Sequence, residues 1–189
     1  LAGVLRPYVL LEVGNARVTP FVPRTLSSFI HDHLAATGMA GEYADNRPHD
    51  VRCVHPLVTL IEKLDALAKR VARAEVEPAA FVRHFEDAAR IILAEERLPA
   101  LDGYADVQAL TAEMASEGQI KDVRHVDRDA LSASDPVREA AIRAAYSAIG
   151  RMFWGDRLDI DEARATIAAW VHSTFARPAG HASERLVDS

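Results

Sequence analysis

Cysteine is nearly absent from this chain: Cys53 is the only one among 189 residues. A lone thiol excludes an intramolecular disulfide, and it stands without the partners of a zinc site. A reducing, cytosolic setting is therefore expected. Long apolar runs are missing too, since nothing approaches the roughly 20 consecutive apolar residues of a membrane-spanning helix. The opening "LAGVLRPYVLLEVG" has neither the basic start nor the small-residue exit of a signal peptide, and a soluble, unexported protein with no membrane partner is the expectation. Positive charge is in short supply, with 22 Lys and Arg against 28 Asp and Glu and a formal net charge of −6. Bulk electrostatics thus give no general affinity for nucleic acid, and any RNA contact must be local. Glycine-rich phosphate loops, nucleophile elbows and zinc spacings do not occur either.

What is present is apolar material, 49% of the residues, enough for one compact domain or two small ones. "YVLLEV", Tyr8 to Val13, reads as a strand, and "RVTPFV" after the turn Gly14-Asn15 reads as the second arm of a hairpin, placed at a sheet edge by Pro20 and Pro23. Thr25 is expected to cap a helix through "LSSFIHDHLAAT" that ends at Gly38. "VRCVH" is a further strand. From Leu57 to Ala74 the apolar period becomes about 100° per residue, that of an amphipathic helix, and Pro78 opens a second helix through "AAFVRHFEDAARIILAEE" that should pair with the first. A third helix is expected from Tyr104 to Ser116, followed by the charged, non-periodic "GQIKDVRHVDRDALSAS". Asp135 and Pro136 start a helix through "VREAAIRAAYSAIGRMFW" that Gly155 ends. Asp159 and Glu162 have capping-box spacing for a last helix with the stripe Ile160, Ala163, Ile167, Trp170 and Val171. Trp154, Phe153 and Trp170 are expected to pack the last two helices together. A hairpin alone is marginal in water, so further strands are expected before Leu1.

Few side chains in this pattern suggest chemistry. Lys63 lies about 90° from the centre of its helix's core stripe, with Thr59 and Arg70 on the same flank. It is either a surface lysine laying its stem on apolar residues or one whose ammonium enters a neighbouring cleft. Asp87 shares a face with His84 and Ile91, and is either a solvated acid paired with Arg83 or Arg90 or a carboxylate facing a partly enclosed site. Glu12, inside an apolar strand, either faces water or helps hold a divalent cation, since hard cations prefer oxygen. His31 and His33 point to different helix faces, which favours surface histidines over metal ligands.

"PLVTLIEKLDALAKR", followed by "RHFEDAARII", resembles the paired motifs of the AbiEii/AbiGii-type nucleotidyltransferase toxins: an apolar helix with Glu-Lys-Leu, then Arg, His or Asp, two residues, and Asp. "VLLEVGNARVTPFVPRTLSSFI" and "AIRAAYSAIGRMFWGDRLDIDEARATIAAW" are similar to flanking parts of the family, so the resemblance covers nearly the whole chain. It implies an α+β chain, with part of the sheet of a polymerase-beta-like nucleotidyltransferase domain over 1–55, a helical region carrying the Lys and Asp motifs over 56–117, a C-terminal helical pair over 118–176, and a tail over 177–189. It further implies a cytoplasmic toxin of a toxin–antitoxin or phage-defence system that transfers NMP from an NTP to an RNA acceptor such as the tRNA 3′ end, with Mg2+ or Mn2+ and a cognate antitoxin. Under it Lys63 contacts the NTP phosphates and Asp87 is the essential acid. Arg83, His84 and Thr59 support the nucleotide or RNA end, and Glu12 matches a metal-binding carboxylate. The family's Gly-Ser turn and paired aspartates should precede "YVLLEV", so the chain as given is expected to be incomplete and inactive by itself. The alternative is a non-catalytic RNA- or protein-binding module derived from the same fold.

Overall fold

A computed structural model describes residues 17–176 apart from Trp154. The expected strand Tyr8 to Val13, with Glu12, and Trp154 lie outside the described residues. The first element, β1 (Phe21–Arg24), pairs antiparallel with β2 (Val51–Val54), in a register that sets Phe21 opposite Val54 and Arg24 opposite Val51. The apolar residues after Pro20 thus do form a strand, and among the described residues its partner is the later "VRCV". Between the strands, α1 (Phe29–Ala36) is capped by Ser28, not Thr25. Ser28 is the residue with extended backbone next to the first turn, and its Oγ accepts the His31 N–H at 3.2 Å, while Thr25 bonds His49 instead. Gly38, at φ +75°, closes the helix, with Gly38 N–H donating to Ala35 C=O and Met39 N–H to Leu34 C=O. That is the Schellman arrangement, which requires a left-handed residue at the position glycine occupies.

The chain passes from sheet to helix through His55, a buried residue. Its Nδ1 accepts the Leu57 N–H at 3.1 Å and its Nε2 lies 3.2 Å from the Pro99 carbonyl, so one ring caps α2 (Pro56–Arg70) and ties it to a distant loop. Helix α2 buries Val58, Leu60, Ile61, Leu64 and Leu67. It ends before Ala74 because Arg138 takes the carbonyls of Arg70 and Val71 at 3.1 and 3.2 Å, satisfying acceptors that a helix end leaves open.

The next helix does not begin at Pro78. A 3₁₀ turn, Pro78–Ala80, precedes α3 (Arg83–Leu93), and the break at Phe81 turns both Phe81 and Val82 fully inward. Packing thereby overrides the continuous pattern. Helix α4 (Val107–Ser116) starts after Asp106, whose carboxylate accepts the Ala109 N–H at 2.8 Å, and Tyr104 is left to donate to Glu113 at 2.7 Å. The non-periodic segment that follows buries Ile120, Val123, Val126 and Leu131 in the same core, and Asp65 of α2 holds it by accepting the Lys121 N–H at 2.8 Å.

Asp135 caps α5 (Pro136–Ala148) as expected, but the α-helix stops short of Phe153 and tightens into a 3₁₀ turn over Ile149–Met152. Arg157 accounts for this: its Nη1 bonds the Tyr146 carbonyl at 3.1 Å and lies where a Cβ on Gly150 would come within 2.9 Å. Helix α6 (Ile160–Phe175) has the expected capping box, and Ile160, Ala163, Ile167, Trp170 and Val171 are all buried. Trp170 packs edge-on to Phe175 and donates to Glu95 at 3.1 Å, so it ties α6 to the turn that follows α3. Helix α3 sits between α2 and α6, and the result is an α+β protein in which, among the described residues, a two-stranded sheet leads into a helical core. No helix among the described residues is long and apolar enough to cross a membrane.

Candidate functional site

Two packed helices bring the polar residues together. Lys63 leaves the flank of α2 next to the buried Leu60 and Leu64, and its half-buried stem runs to α3, where Nζ donates to Asp87 Oδ2 at 2.7 Å. The Lys63 ammonium is thus turned to the adjoining helix and held by a carboxylate there. Asp87 is paired with Lys63, not with Arg83 or Arg90. Arg90 goes to the opposite face, to Glu86 at 2.8 Å.

His84, one turn before Asp87, completes the cluster. Its Nδ1 lies 3.5 Å from Lys63 Nζ and its Nε2 lies 3.4 Å from Nη1 of Arg70. Burial pushes the Asp87 carboxyl up, but hydrogen bonds from His84 and Lys63, with the positive charge of Lys63, outweigh it and hold the group below its ordinary value. Asp87 is therefore ionised at neutral pH. The cluster sets one carboxylate among an ammonium, a guanidinium and an imidazole, a local excess of donors in a protein of net charge −6. Such donors suit an anion with several oxygens, a phosphate above all.

Of the remaining candidates, Arg83 is exposed at the start of α3 and forms no ion pair among the described residues, and Thr59 is half-buried one turn before Lys63, outside the hydrogen-bonded cluster. Glu12 lies outside the described residues, among which no three His, Cys, Asp or Glu side chains converge as a metal site. Arg70 was not among the candidates, although the sequence holds a signal for it: it follows Lys63 by seven residues, two helical turns, on the same flank. Glu86 was missed entirely. It is fully buried, accepts from Arg157 at 2.9 Å as well as from Arg90, and receives the Tyr146 hydroxyl at 3.4 Å. Adjacent carboxylates of α3 thus do different work, Glu86 anchoring the helix to α5 and the α5–α6 connection and Asp87 facing the polar cluster.

Fold and site define a small α+β protein whose polar centre is a lysine–aspartate pair carried on adjoining helices. Residues 1–170 match the family described as nucleotidyl transferase AbiEii toxin, type IV toxin–antitoxin system, and the chain belongs to that family. Comparison with curated proteins and with solved structures gave no match.

Proposed function

We propose that the protein transfers NMP from an NTP to an RNA acceptor, the tRNA 3′ end being the preferred candidate, as the toxin of a cytoplasmic toxin–antitoxin or phage-defence pair. The observation that carries this reading is the Lys63–Asp87 pair at 2.7 Å, with His84 and Arg70 against it, in a chain of a nucleotidyl transferase family. In the reaction an acceptor hydroxyl attacks the α-phosphorus, the new P–O bond forms as the bond to pyrophosphate breaks, and the hydroxyl proton passes to base or water. Negative charge accumulates on the departing pyrophosphate, and preorganised donors aimed at it are the protein's main means of lowering the barrier. Lys63 supplies such a donor to the phosphates. Asp87, ionised at neutral pH, cannot donate a proton there. Its work is to hold Lys63 in place. Arg83, His84 and Thr59 flank the nucleotide or the RNA end.

A divalent cation, Mg2+ or Mn2+, neutralises triphosphate charge in such chemistry. The described cluster does not fit it as a donor set, because its only carboxylate is taken up by Lys63 and His84. Glu12 remains the proposed metal-binding carboxylate. The test is transfer of labelled NTP to total bacterial tRNA by the full chain of the reading frame. Labelled tRNA with one preferred base supports the proposal, and no transfer from any NTP to any RNA leaves a non-catalytic RNA- or protein-binding module.

A further inference from the structure

We propose that Arg70 is a positioning residue that sets the tautomer of His84 and so keeps Lys63 on Asp87. Arg70 ends α2, half-buried, and forms no ion pair among the described residues; its Nη1 lies 3.4 Å from His84 Nε2. Lys63 Nζ stands 3.5 Å from the other ring nitrogen, Nδ1. Ammonium and guanidinium only donate, and a neutral imidazole offers one acceptor nitrogen, so the ring can accept from one of the two cations and not from both.

Asp87 decides the competition. Lys63 already has a carboxylate oxygen at 2.7 Å, whereas the Arg70 guanidinium has His84 as its side-chain partner among the described residues. Nε2 therefore accepts from Arg70, and the ring proton stays on Nδ1. The hydrogen bond from His84 that helps lower the Asp87 pKa agrees with this. Arg70 then donates to His84, while Lys63, also on α2, donates to Asp87. Remove Arg70 and the ring is free to protonate at Nε2. Nδ1 then becomes an acceptor for one of the three N–H groups of Lys63 and competes with Asp87 in setting where the ammonium sits. The backbone is fixed independently of the guanidinium, because Arg138 binds the Arg70 carbonyl at 3.1 Å.

The consequence for transfer rests on the function proposed above; the tautomer does not. The experiment uses full-length protein labelled with 15N-histidine at about pH 8.5, where free imidazole is neutral, and reads long-range 1H–15N correlations, with His84 assigned by its loss in His84→Gln. The wild type is expected to show the Nδ1–H pattern, Arg70→Lys to keep it by donating in the same place, and Arg70→Met to show Nε2–H. In the transfer assay Arg70→Met is expected to lower kcat roughly 10- to 100-fold, the scale of a misplaced catalytic group, with KM for NTP changed less than about twofold and Arg70→Lys recovering most of the loss. An Nε2–H wild type, or an Arg70→Met pattern identical to wild type, would overturn the proposal. So would a changed tautomer with unchanged kcat, or a rise in KM alone, which would make Arg70 a direct phosphate ligand. If the wild type transfers no nucleotide, the proposed function fails while the tautomer patterns still decide the role of Arg70.

Discussion

At Asp87 the sign of the pKa shift fixes a pH dependence. The folded-state value lies below the ordinary one, so the stability it contributes is fully present above the unfolded value near pH 4 and is lost as pH falls through the folded value. Both partners retain some solvent, so the contribution is expected to be modest, about 1 kcal/mol. Asp87→Asn should thus be less stable than wild type by about that amount at neutral pH, with the gap closing in acid. Urea melts at successive pH values check this, and a gap unchanged from neutral to acid pH would contradict it. Tyr146 gives the opposite case. Burial, then the negative charge of Glu86, raises its hydroxyl to about 12, so the folded state keeps a proton that the unfolded chain releases near pH 10. Stability is present below that pH and is lost as pH rises toward 12, and Tyr146→Phe should flatten the alkaline limb of the stability curve. Sequence alone placed Lys63, His84 and Asp87 on helix flanks that could meet. It left open whether Asp87 would choose Lys63 or a near neighbour in its own helix, because that choice depends on how α2 and α3 pack.

At the scale of elements, α3 is held by the buried Glu86 contact to Arg157, 2.9 Å, across from the polar cluster. Glu86→Gln leaves the half-buried Arg157 without its charge partner; breaking a fully buried pair costs about 3–5 kcal/mol, and the partial exposure of Arg157 places the expected cost at the lower end of that range. The expected result is a shift of that order in the unfolding free energy with m unchanged; a loss below about 1 kcal/mol would show the pair to be solvent-screened. Asp159→Ala removes half of the α6 capping box and should cost about 1 kcal/mol, read by the same melts. The helices themselves were legible because the apolar period, the Asp135-Pro136 start and the Asp159–Glu162 box are local signals. Their ends were less so. Helix α2 stops where Arg138 takes its last carbonyls, and α5 tightens where Arg157 takes another, contacts made by residues far along the chain. The start of α3 moved for a similar reason, since burying Phe81 and Val82 together outweighed the helix-opening tendency of Pro78.

For the whole molecule, net acidity and local cationic character are compatible because the charges are sorted by place. Lys63, Arg70 and His84 gather around one carboxylate, while other acids pair elsewhere, Glu139 with Arg164 at 2.6 Å and Asp161 with Arg143 at 2.7 Å among them. Composition therefore excludes a broad nucleic-acid surface without excluding a phosphate site. Whether the Lys63–Asp87 pair serves nucleotidyl transfer is decided by labelled-NTP transfer to tRNA by the full-length wild type and by Lys63→Ala, with circular dichroism showing both folded. Transfer by the wild type and a loss of about 100-fold or more in Lys63→Ala are expected; a folded Lys63→Ala protein that transfers nucleotide at the wild-type rate would show that the pair has no part in the reaction.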